Sequence, residues 1–138
     1  MKQHTLRGRV EAGEVKRLVV DDGRLTHAMI VEEFHVWAVS INSGDDPECV
    51  LGLNFDMNGK WDAADNRQIA WAGMTATAGS RLMTFELIDK NHIVNQDLYI
   101  NNFSAHPANY LITMKAKTLS EDEAIMTLIK EASQSVGR

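Results

Sequence analysis

The sequence predicts a mainly β protein: an antiparallel β-sandwich or jelly roll of about eight strands, followed by a C-terminal amphipathic helix. Two patterns predict this fold. Short segments in which apolar and polar residues alternate are separated by turn residues at short intervals, and one late segment repeats its apolar residues at helical spacing. The 138 residues suit a single domain. We divide it into a sandwich over 1–118 and a helix with its tail over 119–138.

The first two strands form a predicted hairpin. Apolar residues alternate with charged ones over 6–10, and a short turn at 12–14 leads into the β-branched stretch 15–20.

The third predicted strand, 28–41, is the longest extended segment. Strict alternation assigns its apolar residues to two faces. One face carries Ile30, Phe34, Val36 and Ala38, and the other carries Val31, Trp37, Val39 and Ile41. Apolar residues on both faces indicate either a central strand covered on both sides or a strand that passes from the core into a subunit contact.

Five further strands complete the predicted sandwich. They cover 49–56, 69–72, 82–88, 93–100 and 109–117. In the first of these, Cys49 and Phe55 belong to the inward-facing set, and Cys49 is expected to be a small apolar residue of the core. The Gly- and Thr-rich segment 73–80 is expected to be a loop.

The helix is predicted over Ser120 to Ser135. Ser120 can cap the first turn while Glu123 reaches back to it, and acidic residues occupy the end where the helix dipole favours negative charge. Ile125, Leu128 and Ile129 then form one apolar stripe. This stripe packs either on the open side of the sandwich or on a neighbouring subunit.

Charge and hydropathy narrow the classes of partner. Fourteen basic residues against nineteen acidic ones give a net charge of −5, and the basic residues are not gathered, so we do not expect nucleic-acid binding. No run of apolar residues is long enough for a membrane span, and no signal peptide is evident.

A polar loop after the fourth strand is the one candidate for a metal site. Its oxygen-bearing residues Asp56, Asn58, Asp62 and Asp65 could bind calcium, although the spacing does not match an EF-hand. The alternative is a turn at 58–59, with Asp62 capping a short helical turn.

No arrangement of residues in the sequence predicts catalysis. His35 lies near Glu33 on one strand face, but no nucleophile motif accompanies it, and polar pairing on a sheet surface is the expected role. We therefore predict a non-enzymatic protein without a cofactor. Trp37, Trp61 and Trp71 are expected to be core or subunit-contact residues, with sugar stacking as the alternative.

Four segments resemble parts of small structural proteins encoded in marine bacteriophage genomes. They are Leu18 to Leu25, Trp61 to Trp71, Asp97 to Ile100 and Leu119 to Ala124. The resemblance implies a virion protein, assembled in the host cytoplasm, that serves as a capsid vertex, decoration, neck or tail component.

The resemblance and the surplus apolar surface together predict a homo-oligomer that contacts other virion proteins. The alternative prediction is a β-sandwich module that binds carbohydrate or calcium through the polar loop, Trp61 and Trp71.

Overall fold

The structure, a computed structural model, describes residues 3–18, 27–40, 46–77, 81–94 and 97–118, together with Met126. The described chain is mainly β. Its eight strands are β1 (Gln3–Val10), β2 (Val15–Leu18), β3 (His27–Ala38), β4 (Glu48–Gly52), β5 (Gln68–Thr77), β6 (Arg81–Ile88), β7 (Leu98–Asn102) and β8 (Ala108–Thr118).

The strands form two antiparallel sheets. The first has three strands in the order β1-β8-β3, and the second has five in the order β2-β7-β4-β5-β6. The pairings are nested along the chain: β1 pairs with β8, β2 with β7, and β4 with β5. The eight-strand, sandwich-like fold predicted from the sequence is therefore confirmed.

The core lies between the two sheets, where each contributes one face of alternating side chains. Phe34 and Ile112 from the first sheet, with Leu51 and Ile100 from the second, are among its fully buried residues. Cys49 is fully buried in the same cluster. Burial raises the pKa of its thiol to about 12, as expected for a cysteine that packs in a core.

A β-bulge interrupts β3. Because of it, the side chains before the bulge lie on the opposite faces from those predicted. The register of β3 against β8 shifts between Val31 and Glu33, so Glu32 is an extra residue. Because an extra residue reverses the alternation, Val31 faces the core together with Phe34. The prediction that Ile30 shares a face with Phe34, and that Val31 lies opposite, was wrong for this reason.

The position of β3 excludes one of the two interpretations of its apolar faces. It is an edge strand of the three-stranded sheet, so it is not a central strand covered on both sides. Trp37 on β3 is 38% exposed, and Val39, which follows the end of the strand, is 39% exposed. Within the described chain these side chains remain open to a partner.

Several predicted strand bounds also differ from the structure, among them those of β7, which covers Leu98–Asn102 instead of 93–100. β4 ends at Gly52, where the β4–β5 register shifts, and Phe55 lies in a turn with 60% of its surface exposed instead of facing inward. β5 continues through 73–77, the segment predicted as a loop, because β6 pairs with it along that length.

The predicted helix over Ser120 to Ser135 lies outside the described residues except for Met126, which is exposed. The helix therefore stays a prediction. Among the described residues, no helix has the length and apolar character to cross a membrane.

Candidate functional site

The polar loop that carries the predicted calcium ligands lies between β4 and β5. Its side chains bind mainly to the loop itself. Asp62 accepts hydrogen bonds from the Asn58 side-chain amide at 2.9 Å and from the backbone N–H of Ala64 at 3.0 Å. The second bond is the short cap expected from the sequence. Asp56 is exposed.

Asp65 is the centre of the loop and is paired with Arg67. Its carboxylate accepts from Nε and Nη2 of Arg67 at 2.9 and 3.1 Å, and from the backbone N–H of Asn58 at 2.7 Å. Both side chains are buried. Burial of the carboxyl group raises its pKa, but the hydrogen bonds from Arg67 and from the backbone outweigh that effect and lower the pKa to about 2.

Gln68 connects the same loop to β5. Its side-chain amide donates to the carbonyls of Asn58 and Lys60 at 2.8 and 2.7 Å, and its side-chain oxygen accepts from the indole N–H of Trp71 at 2.7 Å. The loop is thus held by an internal polar network. Among the described residues, no group of three or more His, Cys, Asp or Glu side chains could hold a metal ion.

Trp61 fastens the loop to the outer face of the five-stranded sheet. Its indole N–H donates to the carbonyl of Cys49 at 2.9 Å, and its ring lies 4.9 Å from that of Phe85. A Cβ on Gly73 would approach the Trp61 ring to 2.8 Å, so the ring lies directly on the backbone of β5. Trp61 is still 38% exposed, which leaves part of the ring available for a contact.

A strip on β6 is the most exposed apolar feature among the described strands. Met83, Phe85 and Leu87 occupy one face, and they are 66%, 43% and 56% exposed. The sequence marks these three residues as one strand face but does not predict that the face is uncovered. We call Met83, Phe85 and Leu87 the β6 strip.

The predicted interface residues are only partly brought together. Trp37 lies on β3 and Val39 follows the end of that strand. Trp61 adjoins the β6 strip, and Trp71 is half-buried on β5. Four other predicted interface residues lie outside the described residues. They are Ile41, Ile125, Leu128 and Ile129.

A polar contact joins the edges of the two sheets. Nδ1 of His35 lies 2.8 Å from Oε1 of Glu86 on β6, and its Nε2 lies 3.2 Å from Oε2 of Glu33. These residues line an open groove of about 240 Å³ between β3 and β6. The hydrogen bond to Glu86 raises the pKa of His35, assisted by Glu33 and opposed by desolvation.

This geometry makes His35 a link between the carboxylates of Glu86 and Glu33. When both ring nitrogens face carboxylates, the protonated ring with two N–H donors satisfies both partners. A general base needs a ring nitrogen that accepts a proton, so the arrangement does not favour base chemistry at this residue.

Comparisons with protein-family models, with curated protein sequences and with solved structures find no match to this chain.

Proposed function

We propose that this chain is a non-enzymatic structural protein of a bacteriophage virion that acts by assembling with copies of itself and with other virion proteins. One observation carries the proposal: large apolar side chains are exposed on two separate strands, Trp37 on β3 and the β6 strip. Large apolar groups gathered on ordered strands are typical of surfaces that a partner covers.

The strand arrangement supports the same proposal at the level of the fold. The nested pairs β1–β8, β2–β7 and β4–β5, with β3 and β6 adjacent at the open edge, are consistent with a jelly roll. That architecture occurs in viral capsid domains as well as in lectins and cupins. The fold alone does not assign a function, and the virion context rests on the resemblance of the four segments named above.

The proposal predicts self-association. Light scattering of the purified protein over a wide range of concentration, with electron microscopy of the most concentrated sample, is expected to show oligomers or larger assemblies. A protein that stays monomeric at every concentration would contradict self-assembly.

Mass spectrometry tests the virion location separately. Particles of the phage that encodes this chain are expected to retain it through gradient purification and a high-salt wash. Detection only in the lysate supernatant would contradict a virion role.

A further inference from the structure

We infer that β6 is a self-pairing edge, which joins antiparallel to β6 of a second copy about a two-fold axis at Phe85. This inference rests on the proposed function, because it names the partner and the geometry of one of the assembly contacts.

The exposure of β6 is the first step of the argument. Every residue from 83 to 87 is exposed, so both faces of the strand meet solvent over that length. Among the described strands only β5 is hydrogen-bonded to β6, which leaves the other backbone edge of β6 without a strand. An edge of this kind is a template for another strand.

Edge strands in monomers usually carry features that prevent pairing, such as an inward-pointing charge, a proline or a bulge. The centre of β6 has one charged residue, Glu86, and its carboxylate is bound to His35 of the same chain. The ladder with β5 is regular over its whole length. These properties leave β6 available for pairing.

The pattern of side chains selects a second copy and one register. A two-fold axis at Phe85 places Phe85 opposite its own copy and Met83 opposite Leu87 of the copy, so each apolar residue of the β6 strip meets an apolar residue. On the other face, Glu86 lies opposite Thr84.

The neighbouring registers are less favourable. An axis at Glu86 places two carboxylates directly opposite each other, which is destabilising, and an axis at Leu87 places Phe85 opposite Asp89. The register centred on Phe85 is the one that pairs the complete β6 strip with itself.

The size of the surface indicates the strength of the contact. Stable interfaces bury about 1,200 to 2,000 Å² in total. Three side chains from each copy bury less surface than that. The backbone ladder adds hydrogen bonds, and Trp61, whose ring lies beside Phe85, extends the apolar surface. We therefore expect a dimer that dissociates on dilution, with other surfaces contributing to a larger assembly.

Cysteine cross-linking tests the register. In Phe85→Cys the two introduced thiols face each other with Cα atoms about 4.5 to 5.5 Å apart, within reach of a disulfide. In the matched control Leu87→Cys they are about 13 Å apart along the paired strands and cannot be bridged. The single native cysteine, Cys49, is buried and does not compete.

Under mild oxidation we expect Phe85→Cys to form a covalent dimer and Leu87→Cys to remain uncross-linked. If wild type associates but neither variant cross-links, or both do, the β6 inference is overturned while self-assembly stands. If wild type is monomeric throughout, both proposals fail. A monomer in which Phe85→Cys resists a thiol reagent would show that another part of the same chain covers the β6 strip, and would also overturn the inference.

A charge test does not depend on cysteine chemistry. Met83→Lys combined with Leu87→Lys places like charges opposite each other and is expected to abolish the dimer. Met83→Lys combined with Leu87→Glu places opposite charges together and is expected to restore it. Circular dichroism confirms that each variant is folded, and equal dissociation constants for the two double variants would contradict the register.

Discussion

His35 on β3 and Glu86 on β6 link the two sheets through their side chains: His35 Nδ1 lies 2.8 Å from Glu86 Oε1. The sequence predicts polar pairing for His35 on a sheet surface. The structure adds that one of its partners belongs to the other sheet, so the contact holds the open side of the sandwich together.

The first prediction concerns the pH dependence of this contact. Because Glu86 and Glu33 raise the pKa of His35 in the folded state, the contact stabilises the fold fully below pH 6.5, and the stabilisation is lost as the pH rises through the folded pKa. The residues are partly exposed, so we expect at most about 1 kcal/mol.

Proton NMR titration measures the effect directly. The pKa of His35 is expected to lie above that of the unfolded chain in wild type and to fall in Glu86→Gln. An unchanged pKa in that variant would show that Glu86 does not hold the protonated ring.

The second prediction concerns the buried pair Asp65 and Arg67. Asp65→Asn leaves the Arg67 guanidinium buried without its carboxylate, and we expect the free energy of unfolding to fall by about 3 kcal/mol. The matched control Asp56→Asn removes an exposed carboxylate from the same loop and is expected to change it by less than about 0.5 kcal/mol. Urea unfolding measures the free energy of unfolding of both variants. Equal values for Asp65→Asn and Asp56→Asn would contradict a central role for Asp65.

The third prediction concerns acid stability. The pKa of Asp65 is lowered from 3.8 to about 2, so its contribution is present above pH 3.8 and is lost as the pH falls towards 2. The shift corresponds to about 2 kcal/mol. In unfolding curves recorded from pH 5 down to pH 2, the free energy of unfolding of wild type is expected to fall towards that of Asp65→Asn. A constant difference between them would contradict the lowered pKa.

The fourth prediction concerns the close contact at Gly52. A Cβ at this position would lie 2.6 Å from the backbone carbonyl oxygen of Arg67 and would also meet the sulfur of Met57. We expect Gly52→Ala to lower the free energy of unfolding by about 2 kcal/mol. Gly59→Ala is the control, because the nearest atom to its Cβ would be 3.6 Å away, and thermal unfolding should separate the two.

The fifth prediction concerns calcium. The Asp65 carboxylate accepts from Arg67, whose positive charge opposes a cation, and both oxygens of Asp62 accept hydrogen bonds. We therefore expect the same melting temperature in excess calcium and in excess chelator. A site occupied at a hundred times its dissociation constant would add about 2.7 kcal/mol, so a clear rise with calcium would restore the calcium-binding alternative.

The sequence predicts all eight strands because alternation is a local property that each segment carries by itself. It does not predict strand partners, since alternation does not say which strand lies beside β3 or β6. The bulge at Glu32 shows a second limit of prediction from alternation. Because of this one extra residue, Val31 faces the core, and no turn residue in the sequence marks the position.

The polar loop shows that the composition of a loop does not by itself predict a metal site. Its composition favours oxygen ligands for a cation, but Arg67 lies two residues after Asp65 and supplies the positive charge instead. That spacing is visible in the sequence and could have suggested the pair. The exposure of the β6 strip could not have been predicted, because it depends on how much of the outer face of the five-stranded sheet the rest of the chain covers.

The pairing of β1 with β8 has a consequence for how the protein is made. These strands lie at opposite ends of the described chain, yet they are hydrogen-bonded along eight residue pairs, and β8 is also the only described strand that joins β3 to its sheet. The three-stranded sheet therefore cannot form until β8 has left the ribosome. Until then β1 and β3 lack the strand that lies between them, so we expect this sheet to form late and slowly during folding.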